Sequence, residues 1–132
     1  MTSELSRYLP HRPPMLLLDT IEDITDTTIL CRTTIRPDCV FAIDGRVHAS
    51  AMIEFVAQAC AVLVGARHSD KAGPRLGVIM GCREVTFAVD SFAVGDVLTI
   101  GASKIFGEHA LAVFTGAVIR DGVQCATVQM SV

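Results

Sequence analysis

Tryptophan is absent from this 132-residue chain, tyrosine occurs once, and aromatic residues make up only 5%. Its apolar mass is Ala, Val, Leu, Ile and Met, and hydrophobic residues reach 51%. Charge is sparse as well, at 19% of residues with a net of -3. Disorder requires low hydrophobicity and high charge, so the composition excludes it. A general nucleic-acid binder would show a basic excess, which this chain lacks. The cysteines Cys31, Cys39, Cys60, Cys82 and Cys125 are odd in number and none forms a CxxC pair. Neither a zinc site nor a redox motif is suggested, and reduced thiols in a cytoplasmic protein are expected. No metal or cofactor is expected.

The opening Ser3-Glu4-Leu5-Ser6-Arg7 lacks the apolar run of a signal peptide. Ala49–Gly65 is the most apolar stretch. With Glu54 and Gln58 inside it, it reads as too short and too polar at its centre to span a bilayer, so no membrane role is expected. Internal repeats, linkers and low-complexity tracts are missing, and the length suits a single domain over residues 1–132.

Pro10, Pro13 and Pro14 punctuate the start and end any short helix over residues 3–9. Met15–Asp19 and Thr27–Ile35 read as strands, and the acidic segment Thr20–Asp26 between them (Glu22, Asp23, Asp26) is expected near solvent. Residues 37–47 read as a loop. Ala49–Ala66 is the convincing long helix, rich in Ala, Val, Leu, Met, Gln and Glu, with Gly65 and Arg67 marking its end. Nearly every face of it is apolar, which predicts a helix buried on all sides. The pattern then turns to period two over Gly77–Val89, Val97–Phe106, His109–Arg120 and Val123–Val132. Asp121-Gly122 is a strong hairpin signal, and Gly107-Glu108 is expected to make another turn. Two strands, a buried helix and a four-strand antiparallel meander predict an α+β, hotdog-like architecture: one sheet wrapped around one central helix.

Ser50, Glu54 and Gln58 stand at i, i+4 and i+8, a polar stripe on an apolar helix. A carboxyl inside a sheet wrap must be hydrogen-bonded, or be kept protonated by burial. The latter is the species a general acid needs, and Gln58 one turn on could hold it. Otherwise Glu54 escapes to solvent or answers a buried Arg. The helix start at Ala49 and Ser50 offers free N–H groups that would stabilise an enolate or oxyanion. His48 stands there, as a capping residue or as a base. It lies about 240° around a regular helix from Glu54, so they meet only if His48 is outside the helix or through a second subunit. His11 reads as a loop anchor or a catalytic His. His68 and His109 read as solvated, and Arg67, Lys71, Arg75 and Arg83 as a basic rim.

Leu9-Pro10-His11-Arg12-Pro13-Pro14-Met15-Leu16-Leu17-Leu18-Asp19 and Ile53-Glu54-Phe55-Val56-Ala57-Gln58-Ala59 resemble the "LPHRxPxLLxD" and "IExxAQA" motifs of the hotdog 3-hydroxyacyl-acyl-carrier-protein dehydratases. Arg83-Glu84-Val85-Thr86-Phe87 and Val94-Gly95-Asp96-Val97-Leu98 resemble the strands that follow in that family. The resemblance spans nearly the whole chain. It implies removal of water from a 3-hydroxyacyl thioester borne on acyl carrier protein or coenzyme A. The acid would be Glu54, its support Gln58, and the site would lie across a homodimer or a heterodimer with a related hotdog chain. The family's base, the His of a "GHFPGxPxMPG" loop, falls on Val40, and the family's Pro and Gly of "MPG" fall on His48 and Ala49. This departure resembles a divergent branch associated with polyene pigment clusters. It leaves three readings: a dehydratase with His48 or His11 as substitute base, a hotdog thioesterase using one carboxylate, or a non-catalytic partner of an active relative.

Overall fold

A computed structural model of the chain describes Leu5 and residues 7–67, 81–108 and 111–131. Its strands are β1 (Thr20–Ile24), β2 (Thr28–Thr34), β3 (Ala42–Ile43), β4 (Arg46–His48), β5 (Gly81–Phe87), β6 (Ser91–Ala93), β7 (Val97–Glu108), β8 (Leu111–Arg120) and β9 (Val123–Ser131). A 3-10 turn over Ala49–Ala51 leads into helix α1 (Met52–Arg67). Six strands form one antiparallel sheet in the order β1-β2-β7-β8-β9-β5, and β3-β4-β6 form a small second sheet. Ile29 and Cys31 of β2, Leu98 and Ile100 of β7, Phe114 and Val118 of β8, and Val128 and Met130 of β9 alternate into the core. Helix α1 lies against these strands, and Met52, Phe55, Val56, Ala59, Val62 and Leu63 join the same apolar cluster. This is the hotdog arrangement expected from the pattern.

The Asp121-Gly122 hairpin forms with both residues at positive φ, 53° and 75°, joining β8 to β9. Those are the signs a type I′ turn needs, and they match the twist of the flanking strands. The expected loop over 37–47 contains a second such hairpin. Asp44 and Gly45, at φ 53° and 77°, join β3 to β4.

Other expectations change. Gly107 and Glu108 do not make the expected turn but pair with Ala112 and Leu111 in the β7–β8 ladder. Met15–Asp19 is not a ladder strand: Leu16, Leu17 and Leu18 are all buried, which a period-two element with one solvated face does not allow. The first strand is instead β1, within the acidic segment expected near solvent. As an edge strand with a solvated side it tolerates Glu22 and Asp23. A turn closes its end, where Thr25 Oγ1 accepts from the N–H groups of Thr27 and Thr28. Nor is the meander four strands long. Strands β7, β8 and β9 are consecutive neighbours, whereas β5 attaches beyond β9 and β2 takes the place beside β7. Between β5 and β7 the chain detours through β6 in the second sheet, so sequence order does not become sheet order.

Gly65 is inside α1 rather than at its end. A Cβ there would lie 3.0 Å from Tyr8 Cβ and 3.1 Å from Tyr8 O, so the amino-terminal segment packs tightly on this glycine and would have to shift to admit a side chain. By length and composition Ala49–Ala66 is apolar enough to cross a membrane, contrary to the reading from its centre. Here it is the core helix. Residues 68–80 and 109–110, including His68, Lys71, Arg75 and His109, lie outside the described residues.

Candidate active site

The polar stripe of α1 runs from solvent into the core. Ser50 is exposed, Glu54 half-buried and Gln58 buried. A buried amide must find partners for both its ends. Gln58 finds them mainly in the amino-terminal segment: its Oε1 accepts from Leu17 N at 3.0 Å and its Nε2 donates to Met15 O at 2.8 Å. The same Nε2 donates to Glu54 Oε2 at 3.0 Å. One side chain therefore fastens the Met15–Leu17 backbone to the helix and orients the carboxyl. Thr33 Oγ1 adds a 2.6 Å bond to Leu17 O.

Why that segment stays extended without a ladder follows from these bonds. Asp19 accepts from Thr34 N at 2.9 Å and pairs with Arg36 at 2.5 Å, tying the segment's far end to β2. At its near end Arg12 folds the chain back, donating from Nη1 to the carbonyls of Leu9 and His11 at 2.8 Å each. Met15 N and Leu16 N close the turn on Arg12 O.

That turn delivers His11 to the acid. Its Nε2 lies 3.4 Å from Glu54 Oε2, with the two side chains 30% and 31% exposed. Its other ring nitrogen, Nδ1, is buried without a hydrogen-bond partner among the described residues. His48 has a different setting. It is exposed at the end of β4, where its Nδ1 accepts from Ser50 N at 3.1 Å and meets Ser50 Oγ at 2.8 Å. That is the geometry of a cap on the first turn. Ala49 is buried and its N–H donates to Asp90 O at 2.9 Å. The structure thus brings His11, Glu54 and Gln58 together and gives His48, Ser50 and Ala49 partners of their own. Val40, at the family's His position, is exposed in the loop before β3.

Pattern reading could name His11 and Glu54 but had no signal for their meeting, since 43 residues separate them. None of the five cysteines is in a disulfide. Among the described residues, no group of three or more His, Cys, Asp and Glu side chains gathers as metal ligands would.

The antiparallel sheet wrapped around one core helix defines a hotdog protein. Over residues 3–132 the chain matches the family model described as ApeP-like, ApeP dehydratase, and it belongs to that family. Among solved structures it is similar to the dehydratase heterocomplex ApeI:P from Xenorhabdus doucetiae. That match has a TM-score of 0.88 and 29% identity over 96% of this chain and 88% of that one. The fold also resembles a hypothetical thioesterase with coenzyme A from Streptococcus pneumoniae (TM-score 0.66, 15% identity, 84% and 80% of the two chains). A third likeness is the PaaI protein of the E. coli phenylacetic acid degradation operon (0.66, 13%, 85% and 79%). Comparison with curated sequences found no match.

Proposed function

We propose that this chain is one subunit of a dehydratase acting on 3-hydroxyacyl thioesters borne on acyl carrier protein, in polyene or fatty-acid synthesis. A base removes the C2 proton while Glu54 gives a proton to the departing C3 hydroxyl. The C2–H electron pair becomes the C2=C3 bond and water leaves. The observation that carries this reading is the half-buried Glu54, held at one oxygen by Gln58, in a chain whose family base position is Val40. A carboxyl is held in place and the usual base is missing, which fits a site completed by a second, related hotdog chain. The ApeI:P complex, which pairs two chains in a dehydratase, supports such a partner.

The test is to incubate a carrier-bound 3-hydroxyacyl substrate with this chain alone, and with a relative that retains the "GHFPG" loop. A loss of about 18 Da, one water, on mixing supports the proposal. Release of the free carrier thiol would make the protein a thioesterase instead. Full dehydration by this chain alone would place the base within it, at His48 or His11. In the active pair, Glu54→Gln should lower dehydration by roughly 10²–10⁴-fold while the fold stays intact.

A further inference from the structure

His11 approaches Glu54 from outside α1 and faces the same oxygen that Gln58 holds. Gln58 Nε2 lies 3.0 Å from Oε2 and His11 Nε2 lies 3.4 Å from it. Among the described residues no hydrogen bond to Oε1 is found. The His ring itself says which nitrogen carries hydrogen. Oε2 accepts from Gln58, and the approach of His11 Nε2 at 3.4 Å is longer than a hydrogen bond, so its attraction is electrostatic and requires a hydrogen on Nε2. A second hydrogen on Nδ1 would be stranded, because that nitrogen is buried and has no partner among the described residues. The tautomer is set by the partner of one ring nitrogen, and here that partner selects Nε2–H. With its hydrogen facing Glu54, His11 has no lone pair on that side with which to take a proton.

We infer that His11 is a positioning residue: a neutral Nε2–H donor that, with Gln58, pins Glu54 Oε2 and leaves Oε1 as the oxygen that carries and delivers the proton. An oxygen already facing two N–H donors is a poor seat for the carboxyl's own hydrogen, whereas Oε1 is open. This rests on the dehydratase reading above, and it assigns His11 a role other than base.

Two measurements on the full chain test it. Nitrogen NMR of histidine-labelled protein, with the His11 signals assigned by their loss in His11→Gln, should show the Nε2–H tautomer. The Nδ1–H tautomer overturns the inference. In the active pair, His11→Leu should lower kcat by roughly 2–5-fold, the low end of what one polar contact is worth, with KM unchanged. His11→Gln places an amide nitrogen near the Nε2 position and should restore the rate. In a Glu54→Gln background His11→Leu should cost nothing more. An unchanged kcat, a loss as large as that of Glu54→Gln, or a failure of Gln to rescue each overturns the inference. Should no pairing dehydrate any substrate, the reaction reading fails, while the tautomer still decides whether His11 donates to Glu54.

Discussion

Gln58 shows how one residue can carry both architecture and site. Its amide is buried and joins Leu17 N, Met15 O and Glu54 Oε2. Gln58→Leu keeps the volume but strands a buried N–H and a carbonyl. Stability should fall by about 1–3 kcal/mol, read from a denaturant midpoint, and Glu54 should lose its orienting donor. Glu54→Gln should leave the melting temperature equal or higher, since an expensive ionisable group is removed from a half-buried place. Cys60 makes a separate prediction. Burial pushes its thiol up to about 12 from 9.0, with Cys31 adding to the rise and a backbone hydrogen bond opposing it. The folded thiol stays neutral where the unfolded one ionises. Stability from this group is therefore complete below pH 9 and is lost as pH rises from 9 towards 12. A pH series of urea midpoints should fall across that window, and Cys60→Ala should flatten the fall.

At the scale of elements, the contact of helix and sheet depends on a missing side chain. A Cβ on Gly116 of β8 would run into Val56 Cγ1 of α1 and come within 3.1 Å of Gly101 O. Gly116→Ala should therefore cost roughly 1–3 kcal/mol through overpacking, measurable as a lower thermal midpoint, although alanine suits a strand no worse than glycine does. The hairpins show a signal read once and passed over once. Asp121-Gly122 stood between two long alternating strands, and the same dipeptide at Asp44-Gly45 joins strands of two and three residues, too short to show alternation. Met15–Asp19 misleads for the opposite reason: its leucines are apolar enough for a buried strand, but their backbone is satisfied by Gln58 and Thr33 side chains instead of a ladder.

Over the whole molecule, the six-strand sheet is open, with β1 and β5 at its edges. Strand β5 is exposed along most of its length and ends on Phe87, itself partly bare. Edges of this kind template pairing, and natural proteins cover them. On α1, Ile53, Glu54, Ala57, Ala61 and Val64 are only partly covered by the chain's own elements. Sedimentation equilibrium at micromolar concentration should accordingly give at least twice the 14.1 kDa of one chain. A clean monomer would rule out a homodimer and leave a shared site to a different, related chain.

The class of fold, the core helix, the β8–β9 hairpin and the Ser50–Glu54–Gln58 stripe are legible without coordinates, although the helix is not buried on all sides as its composition predicts: Ile53, Glu54, Ala57, Ala61 and Val64 form a partly covered face. Each depends on residues within a turn or two of one another, where helical and strand periodicities set which faces are buried. Tertiary structure alone decided how deep each member of the stripe sits, that β5 joins β9, and that His11 meets Glu54. Those outcomes depend on where distant segments pack. No local period records a contact made across 43 residues by a turn closed on Arg12 and a backbone hung from Gln58.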